Sequence, residues 1–225
     1  MPESTDGHPA VAAWHMSSRY PSSRIRHAAR HEEVTRKVDD MSLAQGLKHV
    51  AWIGLFPVAL IIALMTHNTP LLFYTHVMSA ILWTGSDIFL GIVLGPILSR
   101  LPAEARRPVL TQLFPKVFWI LPISAITTGT AGYYLAHALG DWHAQGVMGW
   151  LWVAIVLATI LTIEGFGLLL PTNYQLYRML RSPAPPSPLQ QRALQKRLQL
   201  YQISVRIQAL LQFAIIGVMA MIATR

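Results

Sequence analysis

The chain has 225 residues, of which 53% are hydrophobic and 12% charged, with a formal net charge of +8. It has no cysteine, which excludes disulfides, thiolate metal sites, cysteine-held iron–sulfur clusters, thioether-linked haem and cysteine nucleophiles. The length suits one helical membrane domain, and the basic residues flank apolar spans, a pattern that fits anionic lipid headgroups and not nucleic acid.

Residues 1–45 read as a polar cytoplasmic arm: glycine, proline and serine without periodicity as far as residue 23, then a charged, helix-compatible stretch from Arg24. No hydrophobic segment of signal-peptide type falls among them, so no secretory cleavage is expected. Apolar runs follow near 49–66, 71–98, 114–139 and 147–171, and a last one near 203–223. At about 1.5 Å per residue each approaches or exceeds a hydrocarbon layer of about 30 Å. The sequence therefore predicts an all-α integral membrane helical bundle with five transmembrane helices. Its parts are a four-helix core over 46–171, a cytoplasmic linker over 172–202 and a fifth helix over 203–225.

His67-Asn68-Thr69-Pro70 forms the tight turn between the first two spans. Pro96 and Leu101-Pro102-Ala103-Glu104 end the second, and Pro122 is expected to kink or break the third. Ala138-Leu139-Gly140-Asp141 closes the third span, after which Trp150 and Trp152 stand where an aromatic belt belongs. The fourth span is read as ending at Pro171. The prolines of 182–188 make a stiff linker, and Leu194, Leu198 and Tyr201 then recur at helical spacing, which predicts a surface helix leading into the last span. The only charge noted within that span is Arg206.

Threaded in this way, all of the 18 lysines and arginines except Arg225 fall on one side. The positive-inside rule then places the N-terminus and both long connections in the cytoplasm, and the C-terminus in the periplasm or outside the cell. The expected location is a bacterial inner membrane.

Chemistry must then be sought inside the bundle. His76, Ala80, Trp83 and Asp87 form one stripe on the second span. An aspartate at that depth costs several kcal/mol unless it is solvated, paired or protonated, so the stripe should face protein or a cavity. The third span runs the opposite way and brings His137 to a depth near His76. Gly129, Tyr133 and His137 share a face, and Gly129 and Gly132 permit close approach. Two histidines on antiparallel helices can clamp a b-type haem through axial nitrogens; alternatively, each imidazole hydrogen-bonds a neighbour. Glu164 lies near the level of Asp87, so the two carboxyls could serve a proton path or a quinone pocket, or could bond Thr127, Thr128 or Thr162 and fix packing. A copper site built from His67, His76, Met65 and Met78 is a further alternative.

The run His76-Val77-Met78-Ser79-Ala80-Ile81-Leu82-Trp83-Thr84-Gly85 resembles the copper-resistance-protein-D-like membrane superfamily and is similar to the HemJ type of protoporphyrinogen oxidase. Pro96, a basic loop with Pro102, Arg106 and Arg107, and Thr128-Gly129 extend the likeness over roughly residues 45–170. The resemblance implies haem b, or copper, at His76. HemJ-type proteins carry a lysine in a tryptophan–lysine context where this chain has Gly149-Trp150-Leu151-Trp152-Val153-Ala154, which argues against porphyrinogen oxidation.

The function expected from these readings is a haem b-binding membrane electron-transfer subunit. His76 and His137 would be axial, and Trp83, Gly85, Gly129 and Tyr133 would surround the cofactor. Asp87 and Glu164 would handle protons during exchange with quinone or a partner redox protein. Membrane lipids and other subunits of a redox complex are the expected partners. Copper transport or a purely structural role in a membrane complex are the rivals, and catalysis by this chain alone is left open.

Overall fold

The computed structural model describes residues 42–181 and 188–224, and every regular element among them is helical. The expected arm up to Met41, the proline-rich segment 182–187 and Arg225 lie outside the described residues.

Helix α1, Leu43–His49, starts with a capping box. Ser42 Oγ accepts from the Gln45 N–H at 3.2 Å, and Gln45 Oε1 accepts from the Ser42 N–H at 2.8 Å, so two orphan donors of the first turn are satisfied. A 3₁₀ turn over Ala51–Gly54 leads into α2, Leu55–Met65. At 11 residues, α2 spans only about 16 Å. The first crossing expected near 49–66 corresponds to Ala51–Met65, which is bent by 69° against the preceding Leu43–His49. Four later helices are long and apolar enough to cross a membrane, or five spans if the bent pair counts as one. The chain is a multi-pass, all-α membrane bundle.

The α2–α3 turn places His67 in the left-handed region, at φ 49°. Asn68 caps the next helix by accepting from the Leu71 N–H at 2.9 Å, and Pro70 occupies its first turn. Helix α3 runs over Thr69–Arg100, α4 over Ala103–Leu139, α5 over Met148–Leu180 and α6 over Pro188–Ala223.

Leu101-Pro102 ends α3 as expected, at Arg100, but Pro96 and Pro171 do not stop their helices. Within α3 the stretch Phe89–Leu94 is a π-helical turn, in which the Gly95 N–H reaches the Leu90 carbonyl five residues back. Pro96 follows at once. Within α5 the stretch Gly165–Leu169 does the same, the Leu170 N–H reaching the Gly165 carbonyl, and Pro171 follows. Proline lacks an N–H and its ring crowds the carbonyl four residues earlier. A widened turn just before it absorbs both faults, so α5 continues past Pro171 to Leu180. Helix α4 likewise passes through Pro108, Pro115 and Pro122 before Gly140, at φ 73°, ends it. The helix expected over 191–201 is continuous with the last span.

The extra length makes the bundle three layers deep. At one end Leu60, Ala63, Leu72, Ala131 and Leu135 form an apolar cluster. At the other, Leu98, Leu110, Phe114, Leu176, Tyr177, Leu180 and Leu198 form a second, with Leu43 and Leu194 against it. The helix segments around this second cluster carry Arg100, Arg106, Arg107, Arg178, Arg181, Arg192, Lys196 and Arg197, so it marks the basic end. Between the clusters lies a polar layer: Thr75, Ser79, Asp87, Ser124, Thr127, Thr128, Asn173, Gln208 and Gln212 are all buried. Small hydroxyl residues let α3 and α4 approach closely. Thr128 Oγ1 donates to Ser79 Oγ at 2.9 Å, and Ser79 Oγ donates in turn to the Thr75 carbonyl at 2.7 Å.

Candidate functional site

His76 sits where α3 meets α4. Its Nδ1 is 2.9 Å from the Thr128 carbonyl oxygen. A carbonyl only accepts, so Nδ1 carries the proton and donates, and Nε2 keeps its lone pair. Gly132 makes room for the ring: a Cβ there would lie 2.8 Å from His76 Cε1 and 3.0 Å from Nδ1. Gly132→Ala should therefore push the imidazole off Thr128 and lower stability by about 1 kcal/mol. Gly129→Ala, with nothing within 4 Å of its Cβ, should not. Thermal unfolding of both variants in detergent checks this.

His137 is elsewhere. It is exposed and belongs to an aromatic group at the far end of α4, with ring centroids 4.7 Å from Tyr133 and 5.3 Å from Trp142. From Gly132, which meets His76, to His137 is five residues, or about 140° around the helix. The two imidazoles thus lie on different faces of α4, and the axial pair expected from sequence is not assembled by these contacts. Comparable depth did not bring a shared face. Gly85 and Gly129 are both exposed, with open space at each Cβ position, and Tyr133 is exposed as well. Among the described residues, no group of three His, Cys, Asp or Glu side chains could hold a metal ion.

The stripe predicted on α3 does face protein. Asp87 is fully buried, and its Oδ2 accepts from Gln208 Nε2 at 2.6 Å and from Gln212 Nε2 at 2.5 Å, both from α6. Trp83, one turn earlier, is buried beside the same carboxyl. The crossing of α3 and α6 is tight just below this point. A Cβ on Gly91 would lie 3.1 Å from Val205, and Gln202 Nε2 donates to the Gly95 carbonyl at 3.3 Å. The glutamines escaped the sequence reading, which took the last span as uneventful apart from Arg206. The available signal was their i, i+4 spacing, which puts two amides on one face of an apolar helix.

Glu164 is the residue just before the π turn of α5 and is only partly buried. It makes no hydrogen bond to Asp87 but is near enough to act on it electrostatically. Thr127 and Thr162 spend their hydroxyls on carbonyls of their own helices, so neither carboxyl is tied to them. A cavity of about 40 Å³ opens beside the node, walled by Trp83, Pro122, Phe166, Asn173, Tyr201 and Gln208 among others.

Fold and site together define a multi-pass helical membrane protein with a buried carboxyl–carboxamide node. Residues 78–176 match the family model described as a domain of unknown function, DUF4149. The match takes in Asp87, Thr128 and Glu164, begins two residues after His76 and stops short of Gln208 and Gln212. No curated protein and no solved structure matches the chain.

Proposed function

We propose that the chain is a haem b-carrying subunit of a membrane electron-transfer system, with His76 as the iron ligand. The observation that carries this reading is the hydrogen bond from His76 Nδ1 to the Thr128 carbonyl. Metal-ligating histidines characteristically donate the other ring N–H to such an acceptor, which fixes the tautomer and raises the basicity of the ligating nitrogen. The DUF4149 match adds support, since that family is loosely associated with the copper-resistance-D and HemJ membrane proteins. A haem bound there would supply one-electron redox chemistry.

The chain's own residues would do the rest. Thr128 and Gly132 hold and orient the imidazole. Asp87 and Glu164, further toward the basic end, would take up protons as charge moves through a medium that solvates it poorly, with quinone as a candidate acceptor. The basic end would face the cytoplasm of a bacterial cell and its anionic lipids. Helix α5 offers the face for another subunit: 17% of its most apolar window is buried, against 28–33% in the other long helices.

Protein expressed with ample haem should show a Soret band that shifts on dithionite reduction. His76→Ala should abolish the band and His137→Ala should retain it. Equal loss in both variants, or no band in the wild type, would overturn the assignment.

A further inference from the structure

The basic end of the bundle carries a groove that the electron-transfer reading does not use. It measures about 680 Å³ and has Leu43 and Ala44 of α1 on one side, with Tyr174, Tyr177, Arg178 and Arg181 on the other. That volume falls within the about 300–1,000 Å³ usual for small-molecule sites. The four residues at the end of α5 stand at i, i+3, i+4 and i+7, which puts them on one face. Two guanidiniums and two phenol rings therefore share a single wall.

Both arginines are exposed, and each is steered by a ring. Arg178 Cζ lies 5.9 Å from the centroid of the Tyr174 ring, and Arg181 Nη1 donates to the Tyr177 hydroxyl at 3.0 Å. A guanidinium carries five N–H donors in a planar fork, a geometry matched to phosphate oxygens. The helix dipole would favour cations at this terminus, but it does not account for two of them lining one groove. Of the carboxylates among the described residues, Glu104 is the one at this end, and it does not line the groove. The charge on the wall thus calls for an anion.

The rest of the lining says which kind. Leu43, Ala44 and the face of Tyr174 are apolar, and a free inorganic anion would have no use for them. Phe118, one step deeper along α4, lies 6.4 Å from the Tyr174 ring and carries the apolar wall toward the bilayer interior. The opposite side is held in place, because Trp119 Nε1 donates to the Leu43 carbonyl at 2.9 Å. A ligand with a phosphate at the surface and hydrocarbon beneath it meets both halves. A zwitterionic headgroup would bring its own ammonium against the two arginines, so the headgroup should be anionic.

We propose that this groove binds an anionic glycerophospholipid, with Arg178 and Arg181 on the phosphate and Leu43, Ala44 and Tyr174 against the glycerol and upper acyl chain. The inference rests on reading the basic end as a membrane surface and does not depend on haem.

The test is native mass spectrometry of the delipidated full-length protein, titrated in detergent with phosphatidylglycerol or with phosphatidylcholine of the same chains. The wild type should retain phosphatidylglycerol about tenfold more tightly, and excess inorganic phosphate should not displace it. The double variant Arg178→Gln, Arg181→Gln should lose that preference by about tenfold. Arg192→Gln with Lys196→Gln removes the same charge from α6, outside the groove, and should keep it. A wild type without preference, the result also expected if another segment of the chain fills the groove, would overturn the proposal. So would equal loss in the two double variants, which means diffuse attraction, or displacement by phosphate, which means a free-anion site.

Discussion

Asp87→Ala is expected to be among the most damaging single substitutions in the bundle, lowering stability by about 3–5 kcal/mol. The carboxyl accepts from both Gln208 and Gln212. Removing it leaves two N–H groups buried without an acceptor, each worth about 1–3 kcal/mol, and adds a small void. A gain opposes this, because the burial cost of the carboxyl also disappears. The loss wins, since its partners stay behind. The same arithmetic says that Asp87→Leu combined with Gln208→Leu and Gln212→Leu should recover most of the stability, as the carboxyl and both of its amide donors are then removed together. Thermal unfolding in a mild detergent should rank the wild type and the triple variant together, above Asp87→Ala. A triple variant as unstable as the single one would show that the node does not work as one unit.

Gly46→Ala is the second large effect. A Cβ at Gly46 would lie 2.6 Å from Pro115 Cβ and 2.7 Å and 2.8 Å from the carbonyl oxygen and carbon of the same residue. Two of the three atoms are backbone in the middle of α4, so no rotamer change relieves the clash. Helix α1 must lift away, and the bond from Trp119 Nε1 to the Leu43 carbonyl, at 2.9 Å, is strained with it. Overpacking of this kind costs about 1–3 kcal/mol. Gly217→Ala on α6, where nothing lies within 4 Å of the Cβ position, should instead be neutral or stabilising by about 1 kcal/mol from helix propensity. A melting temperature for Gly46→Ala that matches Gly217→Ala would mean that α1 does not dock on Pro115.

How far the sequence could be read depended on what each signal measures. Apolar run length marked the spans because crossing lipid demands it, and Asp87 stood out because an ionisable residue at that depth is costly. Helix ends were harder. Pro171 reads as a stop in a linear pattern, yet the widened turn at Gly165–Leu169 lets α5 run on to Leu180. Rotation about a helix axis was harder still. His76 and His137 were matched by depth, but which face α4 turns to α3 is decided by Ala131, Leu135, Thr128 and Gly132 packing against it. Nothing in the spacing of two histidines carries that angle. Gln208 and Gln212 passed as more of the polar material that precedes them, because glutamine is plentiful from Gln190 to Gln202.

The π turns also settle how α3 and α5 each serve two cores. A turn that holds one extra residue advances everything beyond it by about 100° relative to an uninterrupted helix. On α3 the carboxyl of Asp87 lies before that advance and Leu98 after it; on α5, Glu164 lies before it, and Leu176 and Leu180 after it. Deleting one residue from either turn would restore regular helical bonding while swinging the leucines off their cluster. The buried carboxyls and the basic cap thus hold independent angular settings on a shared rod, so the sequence can adjust one without disturbing the other.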